Sequence, residues 1–419
     1  MTELGEIPSD WDFKSLKDIC YIKGRIGWQG LRKDEFISEG PYLITGINFD
    51  RGKIIWNECY HITNERYEQA PEIQLKVGDV LMTKDGTIGK LLYVDNLPDK
   101  ASLNSHLFVM RPINDSFISK YFYYHLQSEK FKKYIDNNKT GSTMPAITQA
   151  AMEKYKLILP PLEEQEKIAS ILSTVDEQID NVEALIKKNK ELKKGLMQTL
   201  LTKGIGHTKF KKTEIGEIPE EWEIKTIEQI SNIVGRIGFR GYNKTDIVEK
   251  GKGAITIGPS NIENNKFIED NLTYLSWEKY YESPEIQVEN GDILLVKTAS
   301  VGKVIYIEGL NKKATINPQL VILKNIKCNA KYLYYTMINS KFQSDIKKAS
   351  AGGVMLTLTH GNINSIKIAL PRLDEQEKIA LILSEIDEKI EGYENKKQKL
   401  EELKKGLMQQ LLTGKIRAI

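Results

Sequence analysis

The sequence predicts an α+β protein: two mixed α/β globules joined by two long helices that form an antiparallel intramolecular coiled coil, the whole a pseudo-twofold tandem repeat. Three observations predict it. Blocks of the first half recur in order in the second. Each copy begins with short β-type runs separated by Gly, Asn, Asp and Pro, and each ends in a proline-free stretch whose apolar residues step by four and three. The 419 residues suffice for two or three domains. Apolar residues at 40% and charged residues at 28% give a globular balance that excludes wholesale disorder and a fibrous chain. With 60 Lys and Arg against 57 Asp and Glu the net charge is +3, so any nucleic-acid surface is a local patch rather than a basic tail. No apolar run approaches the roughly 18 residues that a membrane-spanning helix needs. The polar, acidic start MTELGEIPSDWDF has no signal-peptide pattern. Cys20, Cys59 and Cys328 form no CxxC pair, and a reducing, cytoplasmic setting is the simple expectation.

The duplication is collinear. GEIPSDWDFKSL from Gly5 returns as GEIPEEWEIKTI from Gly216, and GRIGWQG from Gly24 returns as GRIGFRG from Gly235, both 211 residues later. YEQAPEIQLKVGDVLMTKDGTIGK from Tyr67 matches YYESPEIQVENGDILLVKTASVGK from Tyr280, and LNSHL from Leu103 matches INPQL from Ile316, at an offset of 213. YFYYHLQSEKF from Tyr121 matches YLYYTMINSKF from Tyr332, and LEEQEKIASILS from Leu162 matches LDEQEKIALILS from Leu373. KKGLMQTLLT from Lys193 matches KKGLMQQLLT from Lys404. So many ordered blocks exclude a coincidence of composition.

Residues 1–160 form the first globule. PYLITGI, DVLMT, KLLYV, LFVMR and YKLILP have strand length and composition and are bounded by turn residues. A helical pattern near residues 117–135 puts Phe117, Tyr121, Tyr124 and Phe131 near one face, so Tyr121–Tyr124 and their counterparts Tyr332–Tyr335 read as core. Residues 161–205 form the first long helix, with a seam of Ile168, Leu172, Val175, Ile179, Val182 and Ile186. Residues 206–371 repeat the globule. Residues 372–419 repeat the helix, with Ile379, Leu383, Ile386, Ile390, Tyr393, Leu400 and Leu407 in its seam. The Pro-x-Leu-acidic openings at Pro161 and Pro371 are helix starts, and 40 residues make a rod of roughly 60 Å. Burying each seam residue is worth roughly 1.5–3 kcal/mol. The nearest complementary stripe is the other copy, and a helix that leaves one globule and heads for the next pairs antiparallel. Gly195 and Gly406 interrupt strong helical sequence, at a cost of about 1 kcal/mol each relative to Ala. They mark either a helix end or a close backbone approach to a partner helix. Lys187, Lys188, Lys193 and Lys194 have the same ambiguity, and a charge run on a coil is usually a solvated face.

Two copies of GEIP-x-x-W, each followed by a Gly-Asp-apolar-Leu block, then LP-x-L-x-EQEKIA and a long helix ending in KKGLMQ-x-LL, form a recognisable order. Over essentially the whole chain this resembles the specificity (S) subunit of type I restriction–modification systems. The resemblance implies that each globule is a target recognition domain for one half of a split double-stranded DNA sequence. It implies that the helices form an antiparallel spacer that fixes the gap and docks two methyltransferase (M) subunits, with R subunits recruited for cleavage. It implies no catalytic centre in this chain, and S-adenosylmethionine, ATP and Mg on the partner subunits. Globules roughly 60 Å apart suit major grooves more than one turn of about 34 Å apart. KDGTIGK against KTASVGK and LNSHL against INPQL predict two different half-sites.

Base edges are read by Arg, Lys, Asn and Gln, and phosphates are held by Lys, Arg, Ser, Thr and backbone N–H groups. Four loop blocks per copy supply such groups. In the first copy they are Arg25, Gln29 and Arg32; Thr45 and Asn48; Lys84, Thr87 and Lys90; Asn104 and His106. In the second they are Arg236, Arg240 and Lys244; Ser260 and Asn261; Lys297, Ser300 and Lys303; Asn317 and Gln319. Gly86 and Gly89 fit a hairpin turn whatever its function. No GxxxxGK[ST] loop, GxGxxG fingerprint or Asn-Pro-Pro-aromatic tetrapeptide is present, and the five histidines have no metal-ligand spacing. The chain is therefore expected not to be an enzyme and to hold no metal. A duplicated coiled-coil adaptor that binds no DNA is the rival reading.

Overall fold

The structure is a computed structural model, and it describes residues 8–26, 30–50, 52–141, 143, 145–350 and 356–418. The chain divides into two compact units: residues 1–183 with 395–419, and residues 184–394.

In the first unit a four-stranded antiparallel sheet has the order Cys20–Gly24, Leu107–Pro112, Val80–Thr83, Leu91–Tyr93. Successive side chains of a strand point to opposite faces. Phe108, Met110, Val80 and Met82 therefore enter one core with Leu16, Phe117, Phe122 and Phe131, while Leu107, Val109 and Leu81 enter another with Ile44, Ile73 and Leu92. Burial on both faces is why DVLM and LFVM read as unbroken apolar runs. A smaller sheet pairs Ile37–Ile44 with Tyr60–His61 and, in parallel, with Ala101–Leu103. Asp12–Ser15 pairs with Lys156–Leu159 and closes the globule where the helix begins.

The second unit repeats the plan. Its sheet has the order Asn232–Gly235, Leu320–Lys324, Ile293–Val296, Val304–Tyr306. Ile293, Leu295, Val321 and Leu323 face one core, and Leu294, Val296, Leu320 and Ile322 face the other.

The long helices run over Leu162–Lys203, 42 residues, and Leu373–Leu411, 39 residues. In the first unit Arg417 meets Glu164, Lys404 meets Asp176 and Lys397 meets Glu183, so the two helix segments run antiparallel. In the second unit Lys190 meets Glu394 and Lys193 meets Asp387, with the same sense. Ile168, Leu172, Val175, Val182, Ile379, Leu383, Ile386, Ile390 and Leu400 are buried, and Ile179, Ile186, Tyr393 and Leu407 are half-buried. The seam is not purely helix on helix. Ile168 and Leu172 pack on Leu411 and Leu412 and also on Trp11, Tyr121 and Tyr124 of the globule. Ile379 and Leu383 do the same with Leu200, Leu201, Trp222, Tyr332 and Tyr335.

Two sequence expectations are corrected here. Lys193 is not on a solvated face: its ammonium donates to both Asp387 oxygens at 2.6 and 2.8 Å and lies 5.4 Å from the Tyr335 ring centroid. Gly195 and Gly406 lie inside the helices, and a Cβ on either meets no atom within 4 Å, so they mark neither a helix end nor a close approach within this chain.

The repeated signature words explain the joints. Trp11 Nε1 donates to Glu164 at 3.1 Å, and Trp222 Nε1 donates to Glu375 at 3.0 Å. Gln165 accepts from Ile118 N and donates to Pro160 O; Gln376 accepts from Asn329 N and donates to Pro371 O. Tyr124 donates to Asp176, the partner of Lys404, just as Tyr335 donates to Asp387, the partner of Lys193. Tyr121 and Tyr332 are fully buried, as core residues should be.

Candidate nucleic-acid interface

In the first unit three of the four loop blocks converge at one end of the larger sheet. Lys84 N donates to His106 O at 3.0 Å, Asn104 N donates to Ile44 O beside Thr45, and His106 Nδ1 lies 2.6 Å from Asp85 Oδ1. The loop between Thr83 and Leu91 is closed by Gly89 N to Thr83 O and by Thr83 Oγ1 to Thr87 O. Gly86 and Gly89 both have positive φ, 63° and 82°, which glycine adopts without strain. In the second unit Lys297 N donates to Gln319 O and Asn317 N donates to Ile257 O, bringing together the equivalent blocks.

The fourth block joins by another route. Arg25 is buried and donates to Leu103 O at 2.8 Å and Ser102 Oγ at 3.0 Å. Arg236 is buried and donates to Ile316 O and Thr315 Oγ1. Burial lowers both guanidinium pKa values, that of Arg25 to about 10, and leaves both charged at neutral pH. These arginines therefore hold the loops and do not face a ligand, contrary to the sequence expectation.

The same correction applies to four more candidates. Asn48 is fully buried: its Oδ1 accepts from Thr45 N and Oγ1, and its Nδ2 donates to Glu58 O, which also buries Thr45. Asn261 accepts from Gly258 N and donates to Asp270 O. Lys303 donates to Pro259 O and Ile262 O. Short polar side chains in turns satisfy their own backbone first.

Exposed groups remain in both units. Arg32, Thr87, Lys90 and His106 are exposed in the first, with Lys84 and Asn104 half-buried. Lys244, Ser260 and Ser300 are exposed in the second, with Arg240, Lys297, Asn317 and Gln319 half-buried. Arg240 lies 3.3 Å from Glu285, and Asn317 Nδ2 donates to Gln319 Oε1. Gln29 lies outside the described residues.

Sequence reasoning missed a fifth segment. Ile147 N donates to Lys84 O and Gly86 N to Pro145 O, while Leu358 N donates to Lys297 O and Ala299 N to Leu356 O. Residues 145–147 and 356–358 thus flank the same blocks. Its signal was the Thr140-Gly141-Ser142-Thr143 cluster between two helical patterns. Among the described residues no cluster of three or more His, Cys, Asp and Glu could hold a metal ion, and no helix is long and apolar enough to cross a membrane.

The fold, with one such loop surface in each unit, defines a protein of two repeated recognition domains. The type I restriction–modification DNA specificity domain matches twice, over residues 8–194 and 219–402, and the chain belongs to that family of specificity subunits, the non-catalytic components of their complexes. The putative type I restriction enzyme MjaX specificity subunit of Methanocaldococcus jannaschii is 32% identical, over 99% of this chain and 96% of its own. The MjaVIII specificity subunit of the same organism is 29% identical, over 98% and 94%. The fold is similar to that of the type I S subunit from M. genitalium, with a TM-score of 0.61, 17% identity and 98% of each chain covered.

Proposed function

We propose that each unit reads one half of an asymmetric, split DNA sequence through the exposed groups of its converged loops. The paired helices set the gap between halves and dock two M subunits, and R subunits join that complex. S-adenosylmethionine, ATP and Mg serve those partners in the cytoplasm. The observation that carries this reading is the convergence, in each unit, of separate polar loops at one end of a sheet buried on both faces. The two surfaces carry different groups: Asp85 and His106 in the first, Thr298 and Gln319 in the second. Unlike surfaces favour unlike half-sites, since base readout depends on the donor and acceptor pattern.

The test is methylome sequencing of the host with and without the gene, followed by gel shifts of the chain assembled with its M subunits. Loss of methylation at one split, non-palindromic sequence, with binding that weakens steeply with salt, supports the reading. Binding with no sequence preference, or a perfectly palindromic target, overturns it.

A further inference from the structure

We propose that the turn Ile237–Arg240 is an apolar wedge that enters a DNA groove and loosens one base step of the half-site read by the second unit, with Phe239 as the inserted side chain. The inference rests on the DNA-reading role proposed above.

Phe239 is 82% exposed, the most exposed large apolar side chain among the described residues, and Ile237 beside it is 41% exposed. Single exposed apolar residues are ordinary on a protein surface. Here, however, the turn that displays them is held. Arg240 N donates to Ile237 O at 2.9 Å, and Gly241 N to Gly238 O at 3.1 Å. The buried Arg236 clamps the turn from below. Its Nη1 donates to Arg240 O at 3.3 Å, while Nε and Nη2 reach Ile316 O and Thr315 Oγ1. The Arg240 guanidinium lies 5.6 Å from the Phe239 ring centroid, and Glu285 holds it there.

The clamp also sets where the wedge sits. Thr315 and Ile316 end the strand just before Asn317 and Gln319, so one guanidinium ties the apolar tip to the strand that leads into two of the polar readers. The first copy repeats the anchor: Arg25 donates to Ser102 and Leu103, directly before Asn104, and Ile26 is 49% exposed. The sequence places Trp28 where the second copy has Phe239, 211 residues on, although the neighbouring loops have diverged. Phe and Ile are residues that other proteins insert between base steps, partly unstacking them. An aromatic face stacks on any base, so the contact suits a position kept in both copies while the sequence read by each changes.

The test uses the full chain assembled with its M subunits, and duplexes of its methylated sequence carrying 2-aminopurine at successive positions. The expected result is a rise in fluorescence at one step on binding. Phe239→Ala should lose that rise and weaken specific binding roughly tenfold or more, and Phe239→Trp should restore both. If the wild type binds its split site and Phe239→Ala matches it in affinity and fluorescence, the wedge is overturned while DNA reading stands. If the wild type selects no sequence, both fall. If Phe239→Ala impairs only assembly with the M subunits, the aromatic belongs to a protein interface and the wedge is again overturned.

Discussion

The joint around Glu164 makes one stability prediction that separates a working ion pair from a decorative one. Its carboxylate has no exposed side-chain surface and accepts from Trp11 Nε1, from Ala418 N, and from Arg417 Nε and Nη2 at 2.9 and 2.8 Å. Arg417 also forks onto Asp10 at 3.0 and 2.7 Å, but the Asp10 side chain is half exposed. Removing one partner of a buried pair costs about 3–5 kcal/mol. Arg417 is itself 28% exposed, so water replaces part of it and about 2–4 kcal/mol is expected for Arg417→Ala. Asp10→Ala should cost far less, as losing an exposed pair does. For a unit of this size each kcal/mol moves the midpoint by about 2–4 °C, so calorimetry should show the first unit's transition falling by roughly 5–15 °C in Arg417→Ala.

Proton linkage sharpens the test. Desolvation pushes the Glu164 carboxyl up, but hydrogen bonds from Arg417, Ala418 N and Trp11 outweigh it and hold the group below its ordinary value. A depressed carboxyl stabilises the fold fully above the unfolded value near 4.3, and that contribution is lost as pH falls through the lower folded value. The difference between wild type and Arg417→Ala should therefore be complete at pH 7 and close only below about pH 4. Equal losses in Arg417→Ala and Asp10→Ala, or a difference that closes as pH is raised from 7, would refute the reasoning.

Other perturbations give distinct readouts. A double-mutant cycle on Lys193 and Asp387, whose side chains are largely buried, should give a coupling of about 1–2 kcal/mol by urea unfolding, and a coupling near zero would return Lys193 to a solvated face. Gly406→Ala, with open space around the added Cβ, should raise stability by about 0.5–1 kcal/mol; a loss would place the glycine under strain. Arg236→Ala should lower the second unit's stability by about 2–4 kcal/mol, because four internal hydrogen bonds vanish from a buried site. Lys244→Ala should instead leave stability within about 0.5 kcal/mol and reduce the slope of log affinity against log salt by about 1.

Recurring blocks made the duplication legible, and periodicity the helices, because apolar spacing is dictated by which face is buried. Length, composition and bounding turn residues marked DVLM and LFVM as strands. Where the sequence misled, a polar side chain had a choice of partner. Arg25 and Arg236 look like surface arginines in a glycine-bracketed turn, yet each donates to a backbone carbonyl and a hydroxyl more than 75 residues away. Nothing local announces such a target. Lys193 failed for the same reason: its acceptor Asp387 lies on the other helix. The signature words were recognisable without their reasons. That the Trp of GEIP-x-x-W serves the first Glu of the EQ pair in its own copy is a tertiary fact.

Those tertiary facts determine what a domain exchange must preserve. The first globule meets the helices through Trp11, Ile118 N and Tyr124; the second uses Trp222, Asn329 N and Tyr335. The helices answer with Glu164, Gln165 and Asp176 in one unit and with Glu375, Gln376 and Asp387 in the other, so each globule carries the matching half of every joint. Replacing residues 1–160 by a copy of 206–371 therefore leaves these hydrogen bonds satisfiable and exchanges only the loop surface. Methylome sequencing of a host carrying that chimera should show a target made of two copies of one half-site, with the other half gone. A chimera that folds and still methylates the original asymmetric sequence would mean that bases are read outside the converged loops, and a change in both halves would mean that the two surfaces do not read independently.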